Sequence, residues 1–217
     1  MLRYFNQQWD TVPCTFIDTE TTGTQPGRDR TVQVGLVRFE GGVVVGSFTS
    51  LVNPGIPIPA SATAIHGITD EMVGGALSLG EVFAHPQVIK LLEGAQYGAY
   101  NAGFDRYFIP PIGEDWSWPF VDSLSFVRKV DRFVKGSGRH KLTEACKRHG
   151  VALSEAHSAG ADARAAGELF YVLGRKELPK HYTLGALLAW QRRQEAEEWA
   201  RFMEWKSQQP PRPEAQS

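Results

Sequence analysis

The first half of the chain alternates or clusters apolar residues over strand-length runs; the second half spaces them at helical intervals. Residues 14–17 suit a buried strand that ends in the acidic, glycine-stopped stretch Asp18-Thr19-Glu20-Thr21-Thr22-Gly23. A turn over 25–29 precedes a second strand at 31–39, and Gly41-Gly42 predicts a hairpin into a third at 43–52. A proline-rich connection, 54–59, leads to short helical pieces at 61–68 and 70–72. A helix is predicted over 81–92, weakened near its start by Pro86. Residues 96–100 read as a fourth strand, and 104–109 open a helix stopped by Pro110-Pro111. Residues 120–122 read as a fifth strand, followed by a helix to about Phe133. Further helices are predicted at 142–148, 159–173 and 183–206. Three strands first, then strands alternating with helices, predict an α/β fold with a mixed sheet and helices on its faces.

Length and composition bound this picture without redirecting it. A chain of 217 residues supports one sizeable core with an appendage. With 42% hydrophobic and 22% charged residues it has a globular composition, and its net charge of −1 announces no polyanionic partner by itself. Cys14 and Cys146 have neither disulfide-framework nor metal-site spacing and read as free thiols of a reducing compartment. The first thirteen residues lack a signal peptide's apolar run, and no stretch is long enough to span a membrane. The expected location is cytoplasmic or nucleoid-associated.

Candidate chemistry lies in the acids. Asp18 and Glu20, two apart on a strand, share one face. Two carboxylates so close repel unless a cation sits between them, and a hard divalent ion prefers oxygen ligands. Two solvated acids at a strand end remain an equal reading at this point. Asp105 follows Asn101-Ala102-Gly103-Phe104 where a strand turns into a helix, a place where an acid also serves as a helix cap. Asp162 falls in the first turn of a helix that Ser158 is placed to cap, with His157 just outside it. Ala159, Gly160, Ala161, Ala163, Ala166 and Gly167 would let that helix approach a sheet closely.

Taken in order, Phe16-Ile17-Asp18-Thr19-Glu20-Thr21-Thr22-Gly23, Asn101-Ala102-Gly103-Phe104-Asp105 and His157-x-Ala159-x-x-Asp162 resemble the three motifs of the DEDDh exonucleases. This is the family of the proofreading epsilon subunit of bacterial DNA polymerase III and its stand-alone relatives. Ile65-His66-Gly67-Ile68, Val121-Asp122-Ser123-Leu124 and Lys141-Leu142 extend the likeness over roughly 13–174. The resemblance implies a ribonuclease H-like fold with a central mixed sheet of five strands flanked by helices. It implies that Asp18, Glu20, Asp105 and Asp162 hold two Mg²⁺ or Mn²⁺ ions, with Asp18 the more central of the first pair. His157 is then the general base, a residue type that titrates near neutrality. The implied reaction is 3′–5′ hydrolysis of DNA ends, of proofreading or repair type, releasing 5′-mononucleotides.

Substrate contacts are expected from Thr19, Thr21, His66, Phe104 and Asn101. Tyr100 stands where the family often has histidine, and Asp122 is expected to have a structural role. Between 128 and 148, Arg128, Lys129, Arg132, Lys135, Arg139, Lys141, Lys147 and Arg148 face only Asp131 and Glu144. That run suits tracking of a phosphate backbone, or a pair of solvated helix faces. The expected organisation is an exonuclease domain over 1–178, a helical extension over 179–207 and a disordered tail over 208–217. In the extension, Leu184, Leu187 and Leu188 form one apolar patch, and Trp199, Phe202 and Met203 another. These would pack on the domain or dock a polymerase or other protein through 180–206. Two other readings stay open: an exoribonuclease on the same scaffold, and a non-catalytic binding or scaffold subunit.

Overall fold

Strand β1 (Cys14–Thr21) is buried over its first half, as befits a strand with neighbours on both sides. In this computed structural model, which describes residues 4–112, 120–136, 138–153 and 156–208, it lies at the centre of a five-stranded sheet. The partners are β2 (Thr31–Glu40), β3 (Val43–Leu51), β4 (Gln96–Ala99) and β5 (Val121–Asp122), in the order β3-β2-β1-β4-β5. β1, β2 and β3 pair antiparallel, the last two joined by the Gly41-Gly42 hairpin, both glycines at positive φ. β4 joins β1, and β5 joins β4, in parallel. The sheet is mixed and five-stranded, as the sequence predicts.

The period of two in β1 decides what lies on each face. Cys14 and Phe16 face the larger core, with Trp9, Phe39, Phe126, Phe170 and Tyr171. Over this face lie α6 (Ser123–Val130), α7 (Leu142–His149) and α8 (Ala159–Glu177). Ile17 faces the other core, with Val34, Leu36, Val82, Val88 and Leu91, under α3 (Leu79–Phe83) and α4 (Pro86–Leu92). A smaller cluster around Ile58, Ile68 and Val73 holds α1 (Ala60–His66) and α2 (Asp70–Val73). The small residues of α8 serve the close approach expected of them. Ala163 and Ala166 are fully buried, and a Cβ on Gly167 would collide with the rings of Phe39 and Phe16.

Several boundaries differ from expectation for local reasons. The single helix over 81–92 is two helices. Ser78 and Glu81 form a capping box that starts α3, and Pro86, lacking an N–H, opens α4 at its first position. The helix expected from 104 is α5 (Ala102–Asp105), launched by Asn101 at φ 69°, in the left-handed region. α6 ends at Val130 rather than Phe133, and α8 runs past Leu173 to Glu177. Ser158 makes no side-chain cap on α8; Gln33 Oε1 on β2 accepts from the Ala159 N–H at 2.8 Å instead.

The C-terminal helix α9 (Leu184–Ser207) is joined to the domain by its first half. Leu184, Leu187, Leu188 and Trp190 are buried, Trp190 stacking on Phe126 at 4.8 Å between centroids. A domain boundary at 178–179 would therefore cut through the larger core. In the second half Trp199 and Met203 are exposed, while the side chain of Phe202 and residues 209–217 lie outside the described set. Among the described residues no helix is long and apolar enough to cross a membrane.

Candidate active site

Asp18 and Glu20 continue the Cys14–Phe16 face to the C-terminal end of β1, where the sheet stops covering them. Asp105 arrives from α5 on one side and Asp162 from the first turn of α8 on the other. Their convergence shows in their electrostatics. The Asp18 carboxyl is pushed well above its ordinary range, first by burial and then by the charges of Asp105, Asp162 and Glu20. Glu20 is raised to about 7 by burial and by Asp162. Asp105 is raised to about 7 by burial, although hydrogen bonds from Thr19 oppose the shift. Burial also raises Asp162, against the backbone N–H and charge of His157.

Ligand atoms of Glu20, His157 and Asp162 lie within 4.8 Å of one another. His157 is held at φ 67°, an uncommon conformation for a side chain with a Cβ, and donates its backbone N–H to Asp162 Oδ2 at 3.2 Å. Asp162 Oδ1 is buried with no hydrogen-bond partner. Four carboxylates, one with a buried unpartnered oxygen, fit a hard divalent cation. The alternative of solvated strand-end acids does not fit their depth, and Asp105 is not a helix-capping acid. Asp105 closes α5, and its Oδ1 accepts from Thr19 N–H at 3.0 Å and Thr19 Oγ1 at 2.9 Å.

The expected substrate contacts separate. Thr19 is buried, and the bonds just described turn it toward Asp105, so it positions that carboxylate rather than facing open space. Thr21 Oγ1 donates to the Gly23 carbonyl at 2.6 Å and braces the strand end. His66 lies near Thr21 and His157; burial is the first cause that holds its imidazole below the ordinary value. Its Nδ1 accepts from the Ile68 N–H at 3.0 Å, which leaves the proton on Nε2, a buried atom without a partner. Phe104 packs on Phe108 at 4.7 Å and is half-buried, while Asn101 is exposed.

Three supporting residues were not visible to sequence reasoning as site residues. Gly35 pairs with Asp18 across β1 and β2, and a Cβ there would strike the backbone of Ala159 and Gly160. Its lack of a side chain lets α8 bring Asp162 to Asp18. Gln33, opposite Glu20, caps α8 as described. Gln191 of α9 accepts from the Asp122 N–H at 2.9 Å and donates to the Phe120 carbonyl at 3.0 Å. The Asp122 carboxylate in turn receives the N–H groups of Asn101, Ala102 and Leu124, which fixes the turn before Asp105. Only Gln33 had a signal to follow: it is a polar residue inside an apolar strand.

Comparison with known proteins agrees with this geometry. Residues 15–170 match the RNase T family model, described as exonuclease. The chain is 39% identical over 162 residues to a DNA polymerase III subunit epsilon-like protein of Rhodobacter capsulatus, covering 70% of this chain and 22% of that protein. It is 34% identical over 173 residues to a DNA polymerase III PolC-type of Streptococcus thermophilus, covering 76% of this chain and 11% of that one. The chain thus spans only about a tenth to a fifth of the length of these relatives. Among solved structures it is similar in fold to Exonuclease X in complex with 5′ overhanging duplex DNA. The TM-score is 0.65 at 24% identity, covering 81% of this chain and 99% of that one.

Proposed function

This chain belongs to the RNase T exonuclease family, and from that premise we propose that it is a 3′–5′ exonuclease domain that removes 5′-mononucleotides from DNA 3′ ends. Asp18, Glu20, Asp105 and Asp162 would hold the divalent metal on which this family depends, and His157 would act as general base. The single observation that carries the reading is the convergence of four carboxylates, whose burial first and mutual repulsion second raise the Asp18 pKa. Once bound, two Mg²⁺ or Mn²⁺ ions would supply positive charge against the scissile phosphate and lower the pKa of the attacking water.

The chain's own residues do the rest. Thr19 fixes Asp105 by two hydrogen bonds, so that carboxylate is set before substrate arrives. His157 stands exposed at the rim, beside Glu20 and Asp162, where an imidazole can take a proton from water. His66, beside Thr21 and His157, is assigned to the wall next to the terminal nucleotide. Small residues along α8 and Gly35 on β2 keep the acids close. DNA is the substrate favoured here because the relatives are named as DNA polymerase III proteins. A polymerase-class partner is assigned to the distal half of α9, since the proximal half is already packed.

The direct test is degradation of matched, 5′-labelled DNA and RNA oligomers with Mg²⁺, with and without a chelator. Stepwise shortening of DNA that stops with chelator and resumes with Mg²⁺ or Mn²⁺ is expected. Faster shortening of RNA would move the assignment to an exoribonuclease. Full activity in excess chelator would end the metal assignment. Asp18→Ala should abolish hydrolysis while the protein stays folded, and a variant that still cleaves would remove Asp18 from the centre.

A further inference from the structure

The basic run between 128 and 148 divides into two groups once folded. Arg128 pairs with Glu198 at 2.6 Å, Lys147 with Glu144 at 3.0 Å, and Arg148 with the buried Asp131 at 2.6 Å. Lys129 reaches Glu177 at 3.8 Å and lies over the Trp190 ring. These cations are spent on holding α6, α7, α8 and α9. Arg132, Lys135, Arg139 and Lys141 are different: all four are exposed, and among the described residues none forms an ion pair; Arg132 lies over the Phe133 ring, and only Arg139 and Lys141 line a groove.

Arg139 and Lys141 line an open groove of about 560 Å³, walled by Arg128, Tyr100 and Asn101. Among the described residues no carboxylate lines it. The described acids around it are already engaged, Asp122 by the N–H groups of Asn101, Ala102 and Leu124, Glu198 by Arg128, and Asp131 by Arg148 and His149. Tyr100 Oη donates to the His140 carbonyl, and so ties the segment bearing both cations to the end of β4. Asn101, in the groove wall, immediately precedes α5, whose short run ends at Asp105 of the candidate site. That run rises roughly 4.5 Å at helical pitch. The described walls set the two cations beside Tyr100, His140, Leu124 and Leu142, and what the cations suit is a phosphate group.

We propose that Arg139 and Lys141 form an anion subsite that holds a phosphodiester of the substrate strand on the 5′ side of the nucleotide being removed. This rests on the exonuclease reading and adds to it a point of contact outside the chemical centre. It also gives a use to Tyr100, the position where the chain departs from its family: the phenol reaches far enough to fasten the cationic segment beside the site.

The test uses the full chain with Arg139→Gln and Lys141→Gln together, and Lys141→Gln alone. Two substrates are compared: a single-stranded oligothymidylate, and the p-nitrophenyl ester of thymidine 5′-monophosphate, which has no second phosphodiester. The double variant should raise KM for the oligomer about tenfold with kcat little changed, as expected for loss of a charge-assisted contact. The dependence of log(kcat/KM) on log salt should become shallower by about 0.7 for one single-strand phosphate. Hydrolysis of the ester should be unchanged, and Lys141→Gln alone should show an intermediate KM for the oligomer. An oligomer KM and salt slope equal to those of the parent protein would overturn the subsite. Parallel loss on both substrates would also overturn it, because the pair would then support the centre rather than the strand. Should the parent cleave neither substrate, the exonuclease reading fails on its own. The subsite is then judged by fluorescence anisotropy with labelled oligothymidylate in chelator, where equal affinity of parent and double variant overturns it.

Discussion

At the scale of single residues, the site is a place where charge works against the fold. Asp18 is surrounded by burial and three like charges, and every one of these raises its pKa. Removing its charge therefore relieves the metal-free protein. Asp18→Asn is expected to melt higher than the parent in chelator at pH 8, and to lose hydrolysis by at least about a thousandfold, the scale on which metal-held charge stabilisation acts. A lower melting temperature for the variant would contradict the repulsion. His157 is opposite in kind: it is exposed and holds nothing in the core. His157→Ala should lower kcat by about 10²–10⁴-fold, the usual contribution of a general base, with KM nearly constant. Steady-state kinetics on an oligonucleotide would show it, and a rise in KM alone would assign His157 to binding. These residues were legible in the sequence because motif spacing carries them. Thr19 was legible as a neighbour but not in its role, since its partner Asp105 is 86 residues away.

Elements bring the acids together, and much of that work was illegible. Apolar runs mark the strands, and paired glycines mark the hairpin. The apolar period continues across the break between α3 and α4 and so predicts one helix, even with Pro86 inside it. Ser158 is the local choice for the cap of α8, whereas the cap comes from Gln33, 126 residues away. No local rule reaches that far. Gln33→Leu leaves the Ala159 N–H unsatisfied in a partly buried place, at a cost of about 1–3 kcal/mol. Urea unfolding should show that loss, together with a higher Mg²⁺ requirement for activity; unchanged values of both would show that the cap is dispensable. Gly35→Ala acts more severely, since the new methyl meets the backbone of α8 rather than a side chain that can turn aside.

Across the whole molecule, the clustered carboxyls set a pH dependence that metal should cancel. Glu20 and Asp105 have folded pKa values raised to about 7, and Asp18 is raised further above the carboxylate range; unfolded, such groups titrate near 4. Between those limits the folded chain holds more protons than the unfolded one, so stability falls as pH rises through the folded values. His66 and His140 have lowered pKa values and act in the opposite sense below about 6.5. The clean window is therefore from about pH 6.5 to 8. In chelator the melting temperature should fall by several degrees across it. With excess Mg²⁺ the fall should largely disappear, because cations then replace protons among the same oxygens. A flat profile in chelator would mean that the carboxyls do not share a site.

The central position of β1 also shapes how the chain comes to exist. Its parallel neighbour β4 begins at Gln96, and the helix that covers Phe16 and Phe39 does not begin until Ala159. During synthesis the hairpin of β2 and β3 can form early, from contacts close in sequence. The aromatic face of β1 and β2 must nonetheless wait, uncovered, while more than half of the chain is still being made. A nascent protein paused before residue 159 would present Phe16 and Phe39 as a sticky surface, the state that chaperones bind and that aggregates when they do not.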